Sequence, residues 1–135
     1  MSSIVRYQKF INATYTVEIS MPVDNNGQTL GQEIATVGGY TYVYLPDGAK
    51  LPQQPSEITV DEVTLDEALR QELSAASPYV QLVNKRVREM IEQQYAVEDE
   101  IKLIRTAPSE EFDIYNAFAE SCRQWGREKK AEIGL

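Results

Sequence analysis

The sequence contains no histidine, and the candidates for chemistry considered in it are carboxylates, tyrosines and one cysteine. Without histidine, Cys122 cannot form a cysteine–histidine nucleophilic pair. Glu98, Asp99 and Glu100 are consecutive on a predicted helix, so their side chains point in different directions rather than toward one metal ion. Asp24–Gly27 lacks the spacing of an EF-hand loop and is predicted to be a plain turn. The sequence thus predicts no catalytic residue, no metal and no cofactor.

Charge and hydropathy restrict the expected partners. The chain has 13 Lys+Arg against 21 Asp+Glu, a formal net charge of −8, so binding to nucleic acid would gain little from counterion release. No apolar run is long enough to span a membrane, and residues 1–6 lack the apolar core of a signal peptide. A single cysteine fits a reducing compartment. We therefore expect a cytoplasmic protein that binds neither nucleic acid nor membrane.

The first third of the chain has the alternation typical of strands. Thr14–Met21 alternates polar and apolar residues with a period of two, and Ile4–Ile11 is a rougher candidate. Glu33–Val37 and Tyr40–Leu45 flank a Gly-Gly pair that suits a two-residue primed turn. These patterns predict antiparallel β-hairpins, and a short run at 58–63 is a candidate for one more strand.

A long helix is predicted over Ser77–Arg105, because Ser77 can cap its first turn and the next residue is a proline. A break near Gln94–Ala96 is the alternative for this stretch. The expected core positions include Val87 and Ile101 and follow steps of three and four residues. In full, this predicted seam consists of Val80, Val83, Val87, Met90, Gln94, Val97, Ile101 and Ile104.

Two further helices complete the predicted helical part. Thr64 and Glu67 form a capping box that opens a short helix. Glu110–Lys130 has acidic residues in its first turn and lysines in its last, as the helix dipole favours. It should pack antiparallel to the long helix as a hairpin, with Cys122 in the seam. The fold class is therefore α+β: N-terminal antiparallel β-hairpins over 1–56, then one short helix and a helical hairpin over 57–135.

Tyr40, Tyr42 and Tyr44 share one face of their strand and are candidates for a partner-binding surface. Tyrosine rings offer a large contact area at a low cost in conformational entropy. The alternative is that these rings pack across neighbouring strands, with their hydroxyl groups at the solvent edge. The packing interpretation is the favoured one of the two.

Lys85, Arg86 and Arg88 form a second candidate binding surface. Folding the helical hairpin at its bend would place these residues near the basic end of the last helix and gather acidic residues at the bend. The basic end could then receive an acidic partner or the acidic bend of a second copy. Leu82, Ile91 and Leu103 fall outside the narrow seam, so a symmetric homodimer is expected as well. The alternative to a charge-based binding surface is that the charged residues of each helix only complement the dipole of that helix.

Four stretches of the sequence resemble a known group of proteins. They are Gly39–Gly48, Ala76–Pro78, Tyr95–Glu100 and Glu120–Arg127. With them, the chain resembles small proteins encoded among the tail genes of bacteriophages and prophages. Several members of that group are tail-fibre assembly or tail-accessory factors, and many carry serine where this chain has Ala96.

The resemblance implies a non-enzymatic tail-accessory or tail-fibre assembly protein that binds another phage tail protein. It implies a location in the cytoplasm of the bacterial host or in the virion, and it supplies no catalytic residue. A self-assembling structural subunit of the tail is the alternative. A small hydrolase is the least favoured class, because only carboxylates and tyrosines are present to serve it.

Overall fold

An α+β fold is present in the computed structural model, which describes residues 2–135. The predicted fold class is confirmed, with strands in the N-terminal part and helices after them. The described residues form six strands and four helices. The strands are β1 (Ser3–Tyr7), β2 (Phe10–Asn12), β3 (Tyr15–Thr16), β4 (Gln32–Val37), β5 (Tyr40–Leu45) and β6 (Asp61–Val63). The helices are α1 (Glu67–Ala76), α2 (Pro78–Gln94), α3 (Val97–Arg105) and α4 (Glu110–Ala131).

The chain divides into two compact units. The sheet unit comprises the chain up to Tyr79 together with Glu132–Leu135, and the helical unit is Val80–Ala131. This division differs from the predicted parts 1–56 and 57–135. The reason is that β6 pairs with β1, and α1 contacts β4. Both elements follow residue 56 in sequence but complete the sheet unit.

The main sheet has the order β4-β5-β1-β6, and all its neighbours are antiparallel. β1 lies inside the sheet, with Val5 opposite Val43 on one side and Glu62 on the other. The predicted hairpin between β4 and β5 is confirmed. Gly38 and Gly39 have φ values of 59° and 84°, which a primed turn requires and which glycine adopts without a steric penalty.

Only Tyr15–Thr16 of the predicted strand Thr14–Met21 forms a strand, because the residues after Thr16 have no neighbouring strand to pair with. A side chain supplies hydrogen bonds in place of that strand. The main-chain N–H of Ser20 donates to Oε1 of Gln54 at 2.7 Å, and Nε2 of Gln54 donates to the Ser20 carbonyl at 2.8 Å. The predicted alternation nevertheless describes the packing correctly. Val17, Ile19 and Met21 pack against the buried cluster of the sheet unit.

The first helix begins two residues later than its sequence predicts. The cap is Asp66, whose Oδ1 accepts from the main-chain N–H of Leu69 at 2.7 Å, so the capping box predicted at Thr64 is wrong. Asp66 rather than Thr64 is the N-cap, because an aspartate side chain at this position accepts a hydrogen bond from the backbone at least as well as a threonine. Leu73 is fully buried on the inner face of α1.

The long helix predicted over Ser77–Arg105 is interrupted, and the break lies at Tyr95 and Ala96. Ala96 caps α3 with an extended backbone and no side-chain hydrogen bond. Instead, Oδ2 of Asp99 accepts from the main-chain N–H of Ala96 at 3.3 Å. The next helix has a better cap, since the Ser109 Oγ accepts from the Phe112 N–H at 3.0 Å.

The break changes which residues of the predicted seam are buried. Before it, Val80 and Val83 are buried and Val87 packs against the helical core. After it, the predicted seam residues Val97, Ile101 and Ile104 are exposed, and Leu103 on another face of α3 contacts that core instead. Ile101 is exposed, so its predicted core position is wrong. An interrupted helix restarts with a new angular register, so a repeat counted across the break no longer tracks one face.

Small residues on α4 allow α2 and α4 to approach closely. A Cβ atom added at Gly126 would lie 2.7 Å from Cγ2 of Val87. Ala119 is fully buried, and Cys122 is buried in the seam as predicted. The helical core consists of Ile91, Tyr115, Ala119 and Cys122, with aromatic and aliphatic side chains packed around them.

Replacement of Ala96 by Ser should raise the free energy of unfolding of the helical unit by about 1 kcal/mol, because the new hydroxyl can cap α3. Urea denaturation followed by circular dichroism measures this change. Ala117→Ser is the control, since an exposed serine within α4 should instead cost about 0.5 kcal/mol. A variant at residue 96 no more stable than the parent would show that the α3 cap is not limiting.

Replacement of Gly126 by Ala should lower the free energy of unfolding by about 1–3 kcal/mol, because the methyl group overlaps the Val87 side chain. The higher helix propensity of alanine acts in the opposite direction by about 1 kcal/mol. Val87→Ala in the same chain makes room, so a double-mutant cycle should give a favourable coupling of at least about 1 kcal/mol. A stabilised single variant would contradict this close approach of α2 and α4.

Candidate functional site

The predicted tyrosine surface is packed into the sheet unit to different depths. Tyr40 lies at the exposed end, where the Arg6 guanidinium carbon stands 4.2 Å from the centre of its ring. Tyr42 is 5% exposed and presents almost no area to a partner. Tyr44 is half-buried and would meet a Cβ atom added at Gly134. The cross-strand packing interpretation accounts for Tyr42 and Tyr44, while partner binding by the exposed Tyr40 stays a prediction.

Arg6 interacts with both Tyr40 and Tyr42 on this face of the sheet. A side-chain hydrogen bond with Tyr42 is the main cause that raises the pKa of Arg6, with burial acting in the opposite direction. Its position over the Tyr40 ring adds a cation–π contact, worth about 0.5–1 kcal/mol at an exposed site. Sequence analysis missed this role because Arg6 pairs with Tyr42 only through the β1–β5 register.

A polar cluster lies at the other surface of the same sheet. Nζ of Lys9 lies 3.1 Å from Oε1 of Glu33 and 3.9 Å from Oε1 of Glu18. The hydrogen bond to Glu33 is the main cause that raises the pKa of Lys9. Burial raises the pKa of the nearby Tyr7 phenol. These groups line a cavity of about 300 Å³, but the lysine is already satisfied by two carboxylates.

The predicted basic residues Lys85, Arg86 and Arg88 are all exposed on α2. Nζ of Lys85 pairs with Oε1 of Glu89 at 3.9 Å, one helical turn away. Arg86 lines a shallow groove with Trp125, and Nζ of Lys129 lies 5.9 Å from the centre of the Trp125 ring. The structure therefore brings together Arg86, Trp125 and Lys129, whereas the binding role of the predicted trio stays a prediction.

Part of the predicted basic end of the hairpin is neutralised within α4. Arg127 donates to the Glu120 carboxylate and, through Nε, to Gln124 at 3.1 Å. Arg123 lies 3.7 Å from the same carboxylate. The hydrogen bond from Arg127 is the main cause that lowers the pKa of Glu120. Arg127 is thus engaged by a carboxylate of its own helix and adds less to the predicted basic surface.

The surface predicted for a homodimer is largely covered. Ile91 is buried in the helical core and Leu103 packs against it, which leaves Leu82 alone of the three expected residues exposed. Other aliphatic side chains are exposed instead. Val97, Ile101 and Ile104 leave 57%, 46% and 61% of their surface exposed. We call this set the α3 stripe. The i, i+4, i+7 spacing was visible in the sequence, where it indicated core rather than surface.

A groove on α3 and α4 presents a further aliphatic side chain. Ile114 is 59% exposed and lines a volume of about 490 Å³ with Leu103 and Tyr95. We call this the α4 groove. Its remaining lining residues are polar or charged: Gln94, Asp99, Lys102 and Glu111. Apolar side chains beside charged ones are found in many protein–protein contacts.

Tyr95 in the break and Glu100 of α3 both interact with Tyr115 of α4. Tyr95 and Tyr115 meet edge to face, with ring centres 4.9 Å apart. Burial raises the pKa of the Tyr115 phenol, and the neighbouring Glu100 carboxylate raises it further. A like charge close to the phenolate disfavours its ionised form.

Among residues 2–135, no cluster of three or more histidine, cysteine or carboxylate side chains could hold a metal ion. Within the same residues, no helix is long and apolar enough to cross a membrane. The chain was also compared with known proteins. Comparison with protein-family models, with curated proteins and with solved structures finds no match.

Replacement of Glu100 by Gln should lower the pKa of Tyr115 toward its ordinary value, because the repelling charge is removed. The folded protein holds this proton more tightly than the unfolded chain. Protonation of Tyr115 therefore contributes to the free energy of unfolding. This contribution is complete below the ordinary tyrosine pKa and is lost as the pH rises through the raised pKa of the folded protein. NMR titration of the tyrosine rings measures the shift, and Glu98→Gln on the outer side of α3 is the control. Equal Tyr115 titrations in all three proteins would contradict the contact.

Proposed function

We propose that this protein is a non-enzymatic phage or prophage tail-accessory or tail-fibre assembly protein that binds another tail protein. The observation that carries the binding role is the exposed aliphatic surface of the helical unit. Ile114 in the α4 groove is more than half exposed. Covering such a side chain with a partner gains about 25 cal/mol per Å² of apolar area removed from water. Clustered exposed apolar surface commonly marks an interaction site.

The α4 groove suits a partner segment with an apolar anchor and charges of both signs. Leu103 and Ile114 supply the apolar contact, while Lys102 and the carboxylates of Asp99 and Glu111 line the same groove. Charges at a rim chiefly set specificity and association rate, whereas a buried apolar anchor carries much of the affinity. The proposed partner therefore inserts an aliphatic or aromatic side chain beside Ile114.

The phage-tail assignment rests on the sequence resemblance. Its blocks fall on β5 and its turn (Gly39–Gly48), the α1–α2 junction (Ala76–Pro78), the α2–α3 break (Tyr95–Glu100) and the ion pairs of α4 (Glu120–Arg127). Each block occupies a position that shapes the scaffold. The third block also borders the α4 groove through Tyr95 and Asp99, which links the resemblance to the proposed binding surface.

Replacement of Ile114 by Asp should reduce co-purification with a tail-fibre protein from the same phage or prophage genome by at least about tenfold, because a charge would enter the apolar contact. Affinity capture of the tagged fibre protein from co-expressing cells measures this loss. Leu82→Asp is the matched control, since Leu82 is an exposed aliphatic residue of α2 outside the groove. Equal loss in both variants, or none, would contradict the groove as the binding site.

The fate of the protein separates an assembly factor from a structural subunit. Mass spectrometry of purified particles should find the fibre protein but not this chain if the proposal is correct. Particles made without this chain should then lack fibres. A stoichiometric amount of this chain in washed particles would instead favour the self-assembling structural subunit.

A further inference from the structure

The α3 stripe lies on the side of α3 that the helical core does not use. Leu103 packs against that core, and Glu100 interacts with the core residue Tyr115. With 100° between successive residues, Leu103 lies about 100–160° around the helix from Val97, Ile101 and Ile104, and Glu100 lies at the border of the stripe, about 40° from Ile104. The stripe residues are exposed to solvent. A partner could therefore cover them without displacing any packing inside the helical unit.

Two opposite charges lie along one edge of the stripe. Helical geometry places Glu98 and Arg105 on the same side of Ile101, near opposite ends of the helix and about 10 Å apart along its axis. Both side chains are exposed. Within residues 2–135, neither takes part in an ion pair. The stripe thus has an apolar centre and one edge that is acidic at one end and basic at the other.

We propose that the α3 stripe binds the α3 stripe of a second copy, with the two helices antiparallel about a two-fold axis near Ile101. Such an axis reverses the helix direction but keeps corresponding edges on the same side. Glu98 then faces the partner's Arg105, and Arg105 faces the partner's Glu98. At the centre, Ile101 packs beside the partner's Ile101, with Val97 against the partner's Ile104.

Self-complementarity selects a second copy as the occupant. Two-fold contacts use the same patch twice, so every charge on the patch must find its opposite elsewhere on that patch. The edge formed by Glu98 and Arg105 meets this condition in the antiparallel arrangement. A parallel two-fold arrangement would place the two charged edges on opposite sides of the contact, so neither Glu98 nor Arg105 would meet its opposite charge. The proposed dimer leaves Ile114 and the α4 groove outside its central contact, so it goes beyond the tail-protein binding proposed above.

The size of α3 sets the expected affinity. Nine residues span about 13 Å, so the contact is smaller than a standard protein–protein interface. The dimer should therefore dissociate with a constant of about 1–100 µM. Sedimentation equilibrium of the full chain across this concentration range measures it directly. Ile101→Asp should weaken dimerisation at least about 100-fold, because it places two carboxylates at the apolar centre.

A charge exchange tests the arrangement itself. Glu98→Lys and Arg105→Glu should each weaken the homodimer about tenfold, because each creates two like-charge contacts. Mixing the two variants should restore the parent affinity, since Lys at 98 then faces Glu at 105 and the unchanged pair is kept. Ile114→Asp is the control that should leave dimerisation unchanged. Circular dichroism should give the same helix content for all these variants, since every altered side chain is exposed.

A chain that stays monomeric at about 1 mM would overturn the proposal, and so would a dimer unaffected by Ile101→Asp. Failure of the mixed charge variants to recover affinity would overturn the antiparallel arrangement. Ile101→Asp should also retain binding to the tail-fibre protein. If the parent chain is monomeric and Ile101→Asp loses the fibre protein, the stripe belongs to that partner and not to a second copy. Loss of fibre binding by Ile114→Asp alone leaves the dimer intact, so the two proposals fail separately.

Discussion

The break at Tyr95 and Ala96 is the constraint on which the helical unit depends. An uninterrupted helix would carry Val97, Ile101 and Ile104 along the face that begins with Val80 and Val83. With the break, Leu103 packs against the helical core and the other aliphatic residues of α3 are left at the surface. Tyr95 fills the junction by packing against Tyr115 and Phe118. One interruption thus creates both a closed core and an open apolar face.

The sheet unit meets a comparable constraint by using side chains where strands are missing. Gln54 bonds both main-chain groups of Ser20, so the segment after β3 stays ordered against the core without a neighbouring strand. Arg6 fills the space beside Tyr40 and is stabilised by Tyr42. Single side chains thus supply contacts in the sheet unit that further strands would otherwise make.

Local signals were sufficient for much of this fold. The Gly-Gly turn of the β4–β5 hairpin and the charged termini of α4 are encoded within a few residues, and both were predicted. The limits of the strand at Thr14–Met21 depended on Gln54, 34 residues away from Ser20, which no local pattern reveals. Ala96 offers no side-chain cap, so the break remained one alternative of two. For the same reason, the apolar repeat counted across the break predicted Ile101 as a core residue. The exposed α3 stripe to which Ile101 belongs was not predicted.

The division of the chain has a consequence for its synthesis. The sheet unit includes Ile133, which is 2% exposed, and Gly134, at which an added Cβ would lie 3.3 Å from Ile4. These residues leave the ribosome after all of α4, although β1 leaves first. The sheet unit can therefore complete its core only after the helical unit has been synthesised, because the helical unit lies between its long first segment and its short last one. Folding from the N-terminus onward is the usual order for successive domains. Here the helical unit is inserted within the sequence of the sheet unit. The helical unit can therefore fold before synthesis of the sheet unit is finished.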